Sequence, residues 1–491
     1  MTATYTAPTP PLPSHEGRAV ALDDILAARD ARAARQQMMQ AAGGVLISLT
    51  LAAPGAVKRS PLLDAVFQAA QQAVENTIST PQAVNIHIDD RGHHALYRVD
   101  GDAYEWKHAM LALEAASPLA RLWDIDIIAA NGRPISRADC SLPPRRCLLC
   151  DDDAKTCARA RRHSIDDLNA DIARRYRLHQ QAEHIGAAMR QALITEATLT
   201  PKAGLVDASS NGGHHDMTLA HFLASADAIA PYLAACAARG MTFAADAASP
   251  AILAAIRPIG IQAEAAMLAA TGGVNTHKGA IFAFGLTAAA LGKNLAASGS
   301  ATLAQTLADI RAISADLVAE QGAGDSAGQR AYRQHHITGA RGAAADGYRL
   351  ITAHALPAYQ HILSASDSER HALLAALVTL YAANDDTTTI ARVGLDGLRA
   401  HREWAKRLLA DEATLMDEDR LSTAIAAYDH NCTARRLSAG GSADLLALTA
   451  YFGRHFPTSL PTTEARPAAH TADNPNGIPA VPLMHNQKGT A

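Results

Sequence analysis

Apolar and polar positions follow two different rhythms along this 491-residue chain, and the change falls near residue 160. In the first part, short runs of period two stand between helical runs. Residues 21–42 have helical spacing that stops at Gly43 and Gly44, and residues 45–51 (VLISLTL) then predict a buried strand ending at Pro54 and Gly55. Residues 62–78 predict a second helix. Residues 84–89 alternate as a strand up to the turn at Asp90–Gly92, residues 95–99 pair with it as a hairpin, and residues 122–129 form another strand before the Asn131–Gly132 turn. His87, His93 and His94 lie in that hairpin and are expected to face solvent. From about 165 to 455 nearly every segment has a helical period, broken only by short Gly, Asn and Asp loops.

The expectation is a multidomain protein. A disordered, proline-rich head (1–20) precedes an α+β domain (21–165), a larger all-α domain (166–455) and a disordered tail (456–491), with no internal repeat. Length supports the division, because 491 residues exceed what one core holds. Heavy use of alanine, the best helix former, suits the second part.

Charge removes some function classes. A net charge of −4 without a sustained basic tract makes nucleic acid and anionic membrane poor partners. No window approaches eighteen consecutive apolar residues without a polar break and a glycine, so no membrane span is expected. The N-terminus lacks the basic-then-apolar order of a secretory signal, and six cysteines in so long a chain suggest no disulfide framework; both point to a reduced cytoplasm.

Four places carry candidate chemistry. On a strand over 122–129, Asp124 and Asp126 share one face while Trp123, Ile125 and Ile127 share the other, with the two carboxylates about 7 Å apart along the strand. Such a pair can hold Mg²⁺ (or Mn²⁺) on a substrate triphosphate, the plain alternative being a solvated strand face. Arg137, Arg145, Arg146 and Lys58 are candidates to neutralise that triphosphate. Cys147, Cys150, Cys157 and His163 have C-x2-C-x6-C-x5-H spacing, which suits a structural Zn²⁺ or a set of reduced thiols. Between two apolar helices, the turn with Gly272, Gly273, Asn275, Thr276, His277 and Lys278 offers free N–H groups and a cation to a phosphate. Asn384-Asp385-Asp386-Thr387 interrupts an apolar helix, and acids at a helix C-terminus are unfavourable, which favours Asp385 and Asp386 as Mg²⁺ ligands.

Residues 271–282 (TGGVNTHKGAIF), 200–217 (TPKAGLVDASSNGGHHDM), 339–342 (GARG) and 438–447 (SAGGSADLLA) resemble, in order, the signature blocks of the triphosphoribosyl-dephospho-CoA synthase family. Residues 121–163, with 25–32 (ILAARDAR) and 47–58 (ISLTLAAPGAVK), resemble the apo-citrate lyase phosphoribosyl-dephospho-CoA transferase (holo-citrate lyase synthase) family over about 22–165. Departures are Ala52, Ala53, Ala56, Cys140 and Ser141 in the first half, and Ala203, Ala439, Thr388 and Ala343 in the second, where Ala343 replaces a glutamate.

The resemblance implies a bifunctional enzyme whose α+β part is nucleotidyltransferase-like. Its second half would join ATP to 3′-dephospho-CoA, the ribose 2′-hydroxyl attacking C1′ of ATP and expelling adenine. The first would transfer phosphoribosyl-dephospho-CoA to a serine of the citrate lyase acyl carrier (gamma) subunit and release pyrophosphate. The glycosyl transfer needs a carboxylate for the incoming hydroxyl and a proton for adenine. Matched positions suggest Asp207, Asp216 and Glu264 as acids or bases, and His214 and His277 as proton carriers. Lys202, Lys278 and Arg341 would grip phosphate, with Asn211, Asn275, Thr276 and Asp444 around the substrate. Two other readings stay open: the same chemistry serving malonate decarboxylase, and a carrier-binding module whose synthase half has decayed.

Overall fold

In a computed structural model of the chain, described here for residues 4–457 except 9, 79, 248 and 323–325, the polypeptide divides into two compact units. One comprises residues 8–182; the other comprises residues 1–7 together with those from 183 onward. The chain passes between them within a single helix, α5, introduced below.

The head departs from expectation. Thr4–Tyr5 (β1) pairs antiparallel with Ala301–Thr302 (β7), and the buried Tyr5 ring packs 5.7 Å from both His455 and Phe456. Residues 14–20 are tied to the first unit through Leu62 N–H to Ser14 O (2.9 Å) and Val20 N–H to Ala56 O (3.0 Å). Scattered prolines hid this, because the segment borrows its order from distant partners rather than from any local period. The expected disordered tail lies outside the described residues from 458 on.

The first unit holds α1 (Leu22–Gln40), β2 (Val45–Leu51), α2 (Pro61–Ile78), β3 (Ala83–Asp89), β4 (Gly92–Val99), α3 (Ala103–Glu114), β5 (Trp123–Ile128), β6 (Pro134–Ile135) and α4 (Ala154–Ala160). Its strands form one antiparallel sheet in the order β3-β4-β2-β5-β6. Alternation decides the two faces. Ile47, Leu49, Tyr97, Ile125 and Ile127 turn toward α2 and α3 and make the core with Val66, Phe67 and Met110. Ser48, Thr50, Asp124 and Asp126 turn the other way, toward α1, none of whose residues is buried.

After α5 (Ile165–Thr198) the second unit is almost wholly helical: α6 (Leu219–Gly240), α7 (Ser249–Ala270), α8 (Lys278–Ser298), α9 (Leu303–Ile313), α10 (Ala327–His335), α11 (Gly339–Ala345), α12 (Leu356–Ser366), α13 (Glu369–Ala383), α14 (Thr387–Ala410), α15 (Glu412–Leu415), α16 (Glu418–Ala434) and α17 (Gly440–His455). Helix α13 is buried over its whole length from His371 on, and α8 over most of its length. Helices α6 and α8 cross at glycine: a Cβ on Gly240 would meet Ala289 O at 2.1 Å, and one on Gly292 would meet Ala237 O at 2.0 Å.

The expectation of no membrane span needs correcting. By length and composition alone, α6, α7 and α8 are each apolar enough to cross a bilayer. Frequent alanine raises the hydropathy of these helices, and for α8 the apolar window is 78% buried inside the protein.

Candidate active sites

On the polar face of the sheet, Asp124 and Asp126 point the same way, as strand alternation requires. Register places Thr50 opposite Asp124 and Ser48 opposite Asp126. Helix α1 lies across this face, Gln36 Nε2 donating to Ser48 Oγ at 3.1 Å. Arg29, Arg32 and Arg35 recur every third residue along α1 and line, with Asp124 and Lys58, a cavity of about 300 Å³. Among the described residues none of the three arginines has an ion-pair partner, so the cavity holds uncompensated positive charge. His94, buried and 3.3 Å from Ser48 Oγ, registers that field: burial first, then Arg32 and Arg35, push its pKa down to about 3. Burial also lowers Lys58, whose Nζ donates to Ala53 O at 2.6 Å. Asp126 is raised, first by the protein packed about its carboxyl and then by the charge of Asp124.

The three hairpin histidines therefore do not simply face solvent. All line this cavity, and His93 is buried against Phe67 with Nε2 2.6 Å from Asp64 Oδ1. Helix α2 packs on one face of β4 and α1 on the other, so both its faces are covered. Of the candidate cations, Lys58 alone lines the cavity. Arg137 lies 3.5 Å from Glu114 Oε2, and Arg146 pairs with Asp151 in solvent. Arg145 approaches Asp124 from the far side, its Nη1 3.2 Å from Oδ1. The donor atoms of Cys147, Cys150, Cys157 and His163 all lie within 4.8 Å of one another.

In the helical unit a cavity of about 530 Å³ opens where the N-termini of α8, α14 and α17 converge. Each such terminus turns a positive dipole end toward the cavity, with Asp386 and Asp444 already accepting some of the first N–H groups. Glu264, Asn275, Lys278, Arg341, Asp385, Asp386 and Asp444 line it, brought from four separate stretches of sequence. Lys278 Nζ sits 2.8 Å from Glu264 Oε2, and Asn275 Oδ1 accepts Lys278 N–H at 3.3 Å. Asp386 is buried and caps α14: Oδ1 accepts Thr388 and Thr389 N–H, and Oδ2 accepts Ser442 N–H and Oγ, all at 2.7–3.0 Å. Asp385 pairs with Arg402. Asp444 rests against Gly279, where a Cβ would meet its Oδ2 at 1.9 Å. Its pKa is raised well above the usual range, by burial, then by Glu196 and Asp386. Burial likewise raises Asp386.

The 200–217 block lines a different place. Lys202 is buried, Nζ 2.6 Å from Glu196 Oε1, and its N–H donates to Asp207 Oδ2 at 2.8 Å. Asp207 Oδ1 accepts Ser209 and Ser210 N–H. His214 is held between Ser438 Oγ and Arg392 Nη2, both at 2.9 Å, and burial then Arg392 lower its pKa. Asp216 and Asn211 are exposed. His277 is buried, Nδ1 2.7 Å from Ser225 Oγ, with pKa about 3 from burial and then the charge of Lys202; its Nε2 and Thr276 Oγ1 are buried without a hydrogen-bond partner. None of the seven predicted residues Lys202, Asp207, Asn211, His214, Asp216, Thr276 and His277 lines the 530 Å³ cavity. Sequence reasoning missed the arginines of α1 as a lining, although their three-residue spacing was a readable signal. It also missed Glu196, for which no local signal exists.

Residues 182–457 match the family described as ATP:dephospho-CoA triphosphoribosyl transferase, and residues 20–179 match apo-citrate lyase phosphoribosyl-dephospho-CoA transferase. Protein CitXG of Haemophilus influenzae is 40% identical over 461 residues, covering 89% of this chain and 97% of the relative. The 2-(5''-triphosphoribosyl)-3'-dephosphocoenzyme-A synthase of Haemophilus ducreyi is 41% identical over 324 residues, 62% of this chain and 98% of the relative. That of Pectobacterium atrosepticum is 42% identical over 292 residues, 58% and 94% respectively.

Proposed function

The chain belongs to the fused family that joins an apo-citrate lyase phosphoribosyl-dephospho-CoA transferase to an ATP:dephospho-CoA triphosphoribosyl transferase, and from that premise we propose which side chains carry each reaction. The helical unit makes 2′-(5″-triphosphoribosyl)-3′-dephospho-CoA and releases adenine. The sheet unit transfers phosphoribosyl-dephospho-CoA to apo-citrate lyase, the acceptor being a serine of its acyl carrier subunit, with pyrophosphate as the leaving group.

The observation that carries the synthase assignment is the cavity at three helix N-termini, gathering Lys278, Arg341 and Asp444 from distant blocks. In this reading the helix ends, Lys278 and Arg341 seat the triphosphate. Asp444, a carboxyl that holds its proton unusually tightly, exchanges a proton with the reacting hydroxyl or the departing adenine. Glu264 orients Lys278 through their ion pair. Lys202, Asp207 and His214 support the loops behind the cavity.

In the sheet unit Arg29, Arg32, Arg35 and Lys58 receive the triphosphate of the intermediate, and the sheet is read as nucleotidyltransferase-like. The all-oxygen donor sets suit a hard divalent cation, Mg²⁺ or Mn²⁺: Asp124 with Asp126 in one unit, Asp385 with Asp386 in the other. Bound there, the cation would neutralise phosphate charge as it develops. Six free cysteines fit a reducing compartment, the cytoplasm.

Two product assays test the division of labour. ATP with dephospho-CoA should release adenine, and adding the apo-carrier of citrate lyase should release pyrophosphate. The Asp124→Asn, Asp126→Asn double variant should abolish pyrophosphate release alone. Loss of both products, or of neither, would overturn the assignment; faster modification of a malonate decarboxylase carrier would reassign the acceptor.

A further inference from the structure

Neither reaction uses Cys147, Cys150, Cys157 or His163. Among the described residues they are the one group of three or more metal-ligating side chains whose donor atoms meet. Cys150 Sγ lies 3.8 Å from Cys157 Sγ and 3.3 Å from His163 Nε2. A tetrahedral zinc with Zn–S of about 2.3 Å and Zn–N of about 2.0 Å sets S···S at about 3.8 Å and S···N at about 3.5 Å. A disulfide would need about 2.05 Å. The spacings fit a shared ion and not a covalent bond.

Local structure shapes the group. Arg146 and Asp153 form a bridge that folds the chain back on itself, closed by Cys147 N–H to Asp152 O (2.7 Å) and Ala154 N–H to Arg145 O (2.8 Å). Cys147 and Cys150 sit in the turn so formed. Cys157 stands on the short α4, and Arg161, left-handed at φ 47°, ends that helix and returns the chain so that His163 meets the thiols.

We propose that these residues form a structural Zn²⁺ centre, three thiolates and one imidazole, that fixes the segment carrying Arg145 against Asp124. On binding, Zn²⁺ displaces the three thiol protons to solvent. Four protein ligands leave no open position, so the ion activates no water. Its effect passes through the neighbouring segment. Arg145 Nη1 is 3.2 Å from Asp124 Oδ1 and Nη2 3.2 Å from Glu114 Oε2. Leu148 O, inside the zinc loop, accepts Arg175 Nη2 at 3.0 Å, and Arg175 Nη1 donates to Pro118 O at 3.0 Å. Without the ion, two residues beyond Arg145 lose their anchor. The positioning role rests on Asp124 serving the transfer; the ion itself does not.

Untagged full-length protein, purified without chelator, is assayed for metal by mass spectrometry, and for adenine and pyrophosphate release. About one zinc per chain is expected. Cys150→Ser and His163→Ala should each cut zinc content at least tenfold, slow pyrophosphate release and leave adenine release unchanged. His163 is only half-buried, so its variant guards against misfolding at the buried Cys157. Co²⁺ exchange should give thiolate-to-metal absorption that His163→Ala shifts. Zinc below a tenth per chain from zinc-supplemented cells, or content unchanged in the Cys150→Ser, His163→Ala double variant, would overturn the centre. Full zinc dependence of metal content with unaltered pyrophosphate release would instead overturn the link to Arg145.

Discussion

The two cavities proposed to hold polyphosphate differ in the source of their electrostatics. In the sheet unit the charge comes from side chains: three guanidiniums on α1, without ion-pair partners among the described residues, and a half-buried lysine line the cavity with Asp124. In the helical unit three helix N-termini add their dipoles to Lys278 and Arg341, and burial raises the pKa of two of the lining acids, Asp386 and Asp444. Side-chain cations on an uncrowded helix can be displaced by solvent and salt. Helix termini locked by Asp386 cannot, since one carboxylate ties α14 to α17 through four hydrogen bonds. The comparison teaches that a cationic site is legible in composition, whereas a dipolar one exists only after packing.

The comparison breaks most sharply at the carboxylates. Asp444→Asn should lower adenine release by about 10²–10⁴-fold, the range for a lost acid–base group, with pyrophosphate release from added intermediate intact. Lys202→Met comes next. It leaves Glu196 buried and unpaired, so chemical denaturation of the helical unit should show a loss of about 3–5 kcal/mol, whereas a phosphate-binding lysine would change KM and not stability. Arg32→Ala should raise the KM of the transferase for the triphosphate intermediate by about 10–100-fold, the value of one charge-assisted contact, and flatten its salt dependence. The smallest effect concerns pH. A carboxyl whose folded pKa is raised contributes stability below its ordinary range and loses it as pH rises through the raised value. Between about pH 5 and about pH 8 the metal-free helical unit should therefore lose less melting temperature in Asp444→Asn than in the parent. An unchanged slope would show that Asp444 ionises freely.

Local pattern made much of the sheet unit readable. The strand over 45–51 coincides with β2, and Asp124 and Asp126 share a face because alternation is a backbone property. The same local logic failed at His94, since exposure of a strand face depends on what covers it, here α1. It failed again over 200–217. The block carries family-like residues, yet Lys202 and Asp207 are consumed by bonds to Glu196, Ser209 and Ser210. A lysine in a glycine-rich loop gives no sign of whether its partner will be a phosphate or a buried glutamate.

By itself, the sequence determined the two rhythms, hence a sheet unit followed by a helical one, and the membership of both halves in their families. Periodicity and short motifs are local, and local terms survive without knowledge of the fold. Tertiary structure alone decided which charges remain free. Ion pairs such as Lys202–Glu196 and caps such as Asp386 join residues up to 56 positions apart, and burial sets their protonation. Desolvation and pairing energies depend on distance in space, which no spacing along the chain encodes.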